Sequence, residues 1–98
     1  MRIPFCKPEE ALIRRAGDTA TDPKVKAGVV RFLKEAARGD HGPTSADFNR
    51  ADVEAVVRAL ADGLAAGEFG AGVLHAVTRL IVQFRARLGN KPEPMDGV

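Results

Sequence analysis

Apolar residues recur every three or four positions along three stretches of the chain, which is the spacing of one face of an α-helix. No stretch of useful length alternates apolar and polar residues, so the pattern predicts an all-α protein. The apolar positions are Val25, Val29, Phe32, Leu33 and Ala36 in the first stretch, Val53, Val56, Val57, Leu60 and Leu64 in the second, and Phe69, Val73, Leu74, Val77, Leu80, Ile81, Phe84 and Leu88 in the third.

Proline and glycine set the expected boundaries in the first half of the chain. Asp22 and Pro23 are typical of a helix start, and Gly39 ends the same pattern, which predicts a helix over 23–38. A shorter helix is expected over 8–16, because proline and two glutamates open it and Gly17 follows it. Before it, Ile3 and Phe5 are expected to pack onto the core.

Two further helices are expected in the second half. Thr44 and Asn49 are alternative starts for a helix over 46–66, and we prefer a turn from Thr44 leading into it. A glycine-rich turn then leads to a helix over 70–88. The apolar face of this last helix spans about 140°, which is typical of a helix that contacts several others, so we expect it at the centre of the fold.

These elements predict one domain, a bundle of three main helices and a short N-terminal helix over residues 1–90, followed by a flexible tail over 91–98. The length of 98 residues fits a single modest core. No segment has the length and hydrophobicity of a membrane span, and the single cysteine cannot form an internal disulfide. We therefore expect a soluble cytoplasmic protein that does not bind membranes. The composition, which is rich in Ala, Arg, Gly and Val, favours a bacterial or phage origin.

Catalytic and metal-binding groups are scarce. The soft or borderline metal ligands are Cys6, His41 and His75, and their spacing matches no zinc pattern. No nucleophile stands in a recognisable arrangement with a base, and Cys6 is interpreted as a half-buried small residue. We expect no catalytic residue, no cofactor, no metal and no enzymatic activity; a small enzyme using Cys6 or His41 is a third hypothesis.

The stretch from Ala61 to Leu74 resembles the C-terminal helical hairpin of the TPM domain family, in which a similar glycine–acid–aromatic turn precedes a helix that starts with small residues. The resemblance covers this hairpin only. The family's central sheet and metal-binding acids have no counterpart upstream, so the resemblance implies a helical hairpin and assigns no functional residue.

Charge is uneven along the chain, whose net charge is only +2. An acidic middle segment lies between two basic ones, which favours packing of an acidic helix beside basic helices. Among the aromatic residues there is no Trp or Tyr, which argues against a stacking platform for single-stranded nucleic acid.

Two helix faces are candidate binding surfaces. On the last helix, Val82 is expected to point away from the core among basic residues, and a partner-binding site is predicted at His75, Arg79, Val82 and Arg85. A secondary basic face is predicted on the 23–38 helix at Arg31, Lys34 and Arg38.

The leading functional hypothesis is an interaction protein, such as an adaptor, an inhibitor or an assembly subunit, that binds a protein partner through helix faces. The alternative is a DNA-associated regulator whose nucleic-acid contacts come from the basic faces of the second and last helices, with a strong dependence on salt.

Overall fold

The computed structural model describes residues 2–3, 5–38 and 47–89. These residues form four α-helices, and no strand occurs among them, which confirms the all-α class. The helices are α1 (Lys7–Thr19), α2 (Pro23–Arg38), α3 (Arg50–Ala65) and α4 (Leu74–Leu88), and a 3₁₀ turn (Ala71–Val73) precedes α4. Thr44, His41 and the predicted tail over 91–98 lie outside the described residues.

α1 is longer than the predicted 8–16 helix, because Gly17 lies inside it rather than after it. This glycine is buried, and a Cβ at its position would lie only 2.6 Å from Cγ1 of Val29 on α2. Its role is therefore close contact between α1 and α2. At the other end, the backbone N–H of Cys6 donates to Oε1 of Glu9 at 2.9 Å, so that carboxylate caps the helix. Cys6 itself is exposed, contrary to the half-buried position expected.

α2 has the predicted bounds of 23–38. Its start is stabilised by Asp22, whose Oδ1 accepts a hydrogen bond from the backbone N–H of Lys24 at 2.9 Å. The prediction for α3 was wrong at its start, since residues 47–49 are not helical. Asn49 is the N-cap instead, and its Oδ1 accepts from the backbone N–H of Ala51 at 2.9 Å.

The α3–α4 connection shortens the last helix relative to the predicted 70–88. Gly67 adopts a left-handed conformation with φ of +74°, as expected for a glycine just after a helix end. Because the 3₁₀ turn occupies residues 71–73, regular α-helical geometry begins only at Leu74. Leu74 falls roughly 70° from the centre of the buried face of α4 and is partly exposed, although the sequence pattern counted it as apolar core.

α3, and not α4, is the central helix. It packs against α1, α2 and α4, whereas the backbones of α2 and α4 do not approach each other in the described part of the chain. Small residues contribute to this packing: Gly28 of α2 lies directly against Ala55 of α3, and Gly63 of α3 lies against the ring of Phe69 in the α3–α4 connection. The Gly28–Ala55 contact lets α2 come close to α3, which the arc of large apolar side chains did not reveal.

The core is built around four phenylalanines. The rings of Phe32 and Phe48 stack with centroids 4.1 Å apart, and Phe84 of α4 lies 5.7 Å from Phe32. Phe5 contacts all three rings, and Ile3 is also buried, which confirms that the N-terminal segment packs onto the core. The cluster holds the sequence-distant α2 and α4 in one hydrophobic core while their other faces remain in solvent.

Candidate protein-interaction surface

The outward face of α4 carries an exposed hydrophobic residue. Val82 is 61% exposed, more than the other large hydrophobic side chains at the described surface, Val30 at 45% and Leu74 at 39%. The opposite face of the helix is fully engaged in the core through Val77, Leu80, Ile81, Phe84 and Leu88. The sequence-based expectation that Val82 points away from the core is therefore confirmed, whereas its role in binding remains a prediction.

Arginines flank Val82 on both sides. Arg79 lies three positions before it and Arg85 three positions after it, which places them roughly 60° to either side of the valine around the helix. Both are exposed, and neither forms an ion pair within the described residues. α4 contains no Asp or Glu, so no carboxylate of its own helix offsets these charges.

The remaining predicted residue, His75, lies two helical turns before Val82 on the same side of α4 and is exposed. The four residues of the predicted site therefore share one surface, which we call the α4 face: His75, Arg79, Val82 and Arg85. The hydroxyl of Thr78, which lies between them, donates to the carbonyl of Leu74 at 2.9 Å. Its hydrogen-bond donor is therefore engaged within the helix.

A shallow groove between α3 and α4 adjoins the α4 face at Arg85. It is lined by Glu54, Val57, Arg58, Ala61, Arg85 and Leu88. Its charged residues on α3 are engaged along that helix, since Glu54 pairs with Arg50 at 3.5 Å and Arg58 with Asp62 at 3.4 Å. Sequence reasoning missed this groove, because it depends on which helices become neighbours.

The three residues of the predicted secondary basic face on α2 have different surroundings. Nε of Arg31 donates to Oδ1 of Asp52 on α3 at 2.9 Å, and Asp52 is the one buried charged residue in the described ranges. Arg31 therefore satisfies a buried carboxylate, which is a structural role. Arg38 lies 3.6 Å from Glu35 of its own helix, whereas Lys34 is exposed without such a partner in the described residues.

The exposed Val30 gives α2 a second surface that the sequence interpretation did not single out. Lys26 precedes it by four positions and Lys34 follows it by four. We call these three residues the α2 face. The signal was present in the sequence, because Val30 departs from the apolar pattern of α2 as Val82 does in α4. The two faces belong to different helices, whose backbones do not approach each other in the described part of the chain.

Potential metal ligands and the paired carboxylates of α1 can be located in the described residues. In the ranges 2–3, 5–38 and 47–89, no three His, Cys, Asp or Glu side chains come close enough to hold a metal ion. The paired carboxylates of α1 have structural partners: Glu9 caps the helix and Glu10 pairs with Arg14 at 3.2 Å. The expectations of no cofactor and no enzymatic activity stay predictions.

No protein-family model, curated protein or solved structure matches this chain. The resemblance to the TPM hairpin therefore covers only the stretch around the α3–α4 turn, and no function is inferred from it. Among the described residues, none of the helices has both the length and the apolar character needed to cross a membrane.

Proposed function

We propose that this protein is an interaction module that binds another protein through the α4 face. The observation that carries the proposal is the exposure of Val82 between two arginines on a helix with no acidic residue. A hydrophobic centre with a charged rim is the usual composition of a protein-binding patch. In a partner complex, Val82 would be covered while the arginine side chains supply contacts at the edge.

The kind of basic residue distinguishes the α4 face from the α2 face. Arginine is enriched at protein interfaces and lysine is depleted, because the planar guanidinium stacks and forms paired hydrogen bonds at a lower desolvation penalty. Arg79 and Arg85 flank the valine on α4, whereas Lys26 and Lys34 flank the less exposed valine on α2. The α2 face is therefore interpreted as a solvated surface.

The two faces provide a matched test. A triple alanine variant of Arg79, Val82 and Arg85 removes two cations and one valine, and the same is true of Lys26, Val30 and Lys34 on α2. Each immobilised full-length protein would be used to capture partners from a lysate of its source organism. We expect the α4 variant to lose a specific partner that the parent and the α2 variant retain.

Folding of both variants would be checked by thermal unfolding, since substitutions at exposed positions usually change stability by less than about 0.5 kcal/mol each. Unchanged capture by a folded α4 variant would contradict the proposal. Adaptor, inhibitor and assembly subunit are all compatible with such a surface. The proposed setting is the bacterial cytoplasm, for a protein of bacterial or phage origin.

A DNA-associated regulator is the second candidate function. It is favoured by the cations without carboxylate partners in the described residues, Arg79 and Arg85 on α4 and Lys26 and Lys34 on α2. Phosphate contacts of this kind weaken steeply with salt. Titration with duplex DNA at low and at physiological salt tests the alternative, and an absence of binding at low salt would exclude it.

A further inference from the structure

We propose that the partner segment on the α4 face is an acidic amphipathic helix in which an apolar residue is flanked by carboxylates three positions before and three positions after it. The apolar residue would cover Val82, and the carboxylates would pair with Arg79 and Arg85. This inference rests on the proposed function and adds the chemistry of the partner to it.

The spacing of the arginines carries the first part of the inference. Each is three residues from Val82, so their Cα atoms lie about 9 Å apart along the helix axis. Positions three before and three after a central residue have the same separation on any partner helix. Since this pattern is symmetric about its centre, both parallel and antiparallel docking place a carboxylate at the axial height of each arginine.

Charge complementarity selects the carboxylates. Arg79 and Arg85 form no ion pair in the described ranges, and α4 itself provides no acidic residue. The guanidinium group binds a carboxylate through paired, charge-assisted hydrogen bonds. A partner that buried Val82 without supplying acids would bring its own surface against two uncompensated cations.

The same geometry disfavours a second copy of this chain as the occupant. In an antiparallel two-fold pairing centred on Val82, Arg79 of one copy would face Arg85 of the other, and the reverse pair would repeat the clash. Like charges placed opposite each other are destabilising. A different protein with an acidic helix avoids this repulsion.

Synthetic helical peptides of about 20 residues test the partner chemistry directly, since shorter isolated helices are marginal. The matched peptide carries a central Leu with Glu at i−3 and i+3 in an alanine-based sequence. The control has the same composition with Glu at i−2 and i+2, which places the acids on the far side of the helix from the leucine. Fluorescence anisotropy with the full-length protein gives both dissociation constants.

We expect the matched peptide to bind about 2- to 30-fold more tightly than the shifted control, the range given by two partly exposed ion pairs. The preference should shrink at high salt. Replacing both arginines by glutamate (R79E/R85E) should abolish binding of the matched peptide and create binding of a peptide with Lys in place of Glu. This reversal also shows that the variant is folded.

Equal affinity for the matched and shifted peptides, or no binding of either, would overturn the acidic-helix proposal. It would also be overturned by an arginine-dependent dimer in sedimentation equilibrium of the chain alone, or by duplex DNA binding that R79E/R85E removes. Loss of capture in the α4 alanine variant without any peptide preference would refute this partner chemistry and leave the interaction function standing. Unchanged capture would instead refute the function itself.

Discussion

Replacing Gly28 by alanine should force α2 away from α3, because the added Cβ would overlap the Cβ of Ala55 and lie 3.9 Å from its Cα. The Cβ of Ala55 is attached directly to the helical backbone and its Cα is part of that backbone, so neither atom can rotate out of the way. The reciprocal change, Ala55→Gly, removes the obstructing methyl group. Combining the two transfers one methyl group across the helix interface and should restore the fit.

The expected free energies follow from opposing terms. Alanine at position 28 gains about 1 kcal/mol of helix propensity over glycine, whereas overpacking of a tight contact costs about 1–3 kcal/mol. Gly28→Ala should thus be destabilising by about 0–2 kcal/mol. Ala55→Gly should lose about 1 kcal/mol. In the double variant the propensity terms cancel and the overlap disappears, so its stability should lie within about 0.5 kcal/mol of the parent.

Urea denaturation followed by circular dichroism gives the four free energies of unfolding for a double-mutant cycle. The predicted coupling is about 1–3 kcal/mol, with the double variant more stable than the sum of the single effects. Additive effects within about 0.5 kcal/mol would show that the two positions are not in contact. The packing that places α3 at the centre would then be wrong.

Other predictions concern a turn, an ion pair and the aromatic core. Gly67→Ala should lose about 1 kcal/mol because φ is +74°, whereas Gly70→Ala, with equal space and no positive φ, should be nearly neutral in thermal unfolding. Arg31→Ala should lower stability by about 1–2 kcal/mol, since it leaves a buried carboxylate without its partner, and equal stability of Lys34→Ala and Arg31→Ala would contradict that role. Phe84→Ala should cost about 3–5 kcal/mol in urea denaturation, and a loss below about 1 kcal/mol would contradict its position in the core.

The helices could be predicted because large apolar side chains at helical spacing must share a buried face. The outward position of Val82 follows from that rule. The bounds of α2 follow from Asp22 and Pro23 at its start and Gly39 after its end.

Glycine was harder to interpret. In the sequence, Gly17 looks like the residue that ends a helix. In the structure it lies inside α1, where the absence of a side chain lets the helix contact Val29 of α2. A glycine's role depends on the neighbour it admits, and that neighbour is distant in the sequence.

Tertiary contacts place α3 at the centre of the fold. They also determine which basic side chains of α2 form ion pairs. The close approach of α2 to α3 depends on the contact of Gly28 with Ala55, and not only on the width of a large apolar stripe. Arg31 and Lys34 are both basic residues of α2 and cannot be distinguished in role from the sequence. In the structure, Arg31 donates to Asp52 of α3 across the helix interface. Periodicity within one helix contains no information about which residues of another helix lie opposite.

The most direct test of the α4 face as the binding surface is site-specific photo-crosslinking. A photoreactive phenylalanine analogue at Val82 would be compared with the same analogue at Val30, the matched exposed valine on α2. In lysate of the source organism, we expect that position 82 crosslinks to a specific protein and that position 30 does not. Equal crosslinking at both positions, or a specific crosslink at position 30 alone, would contradict it.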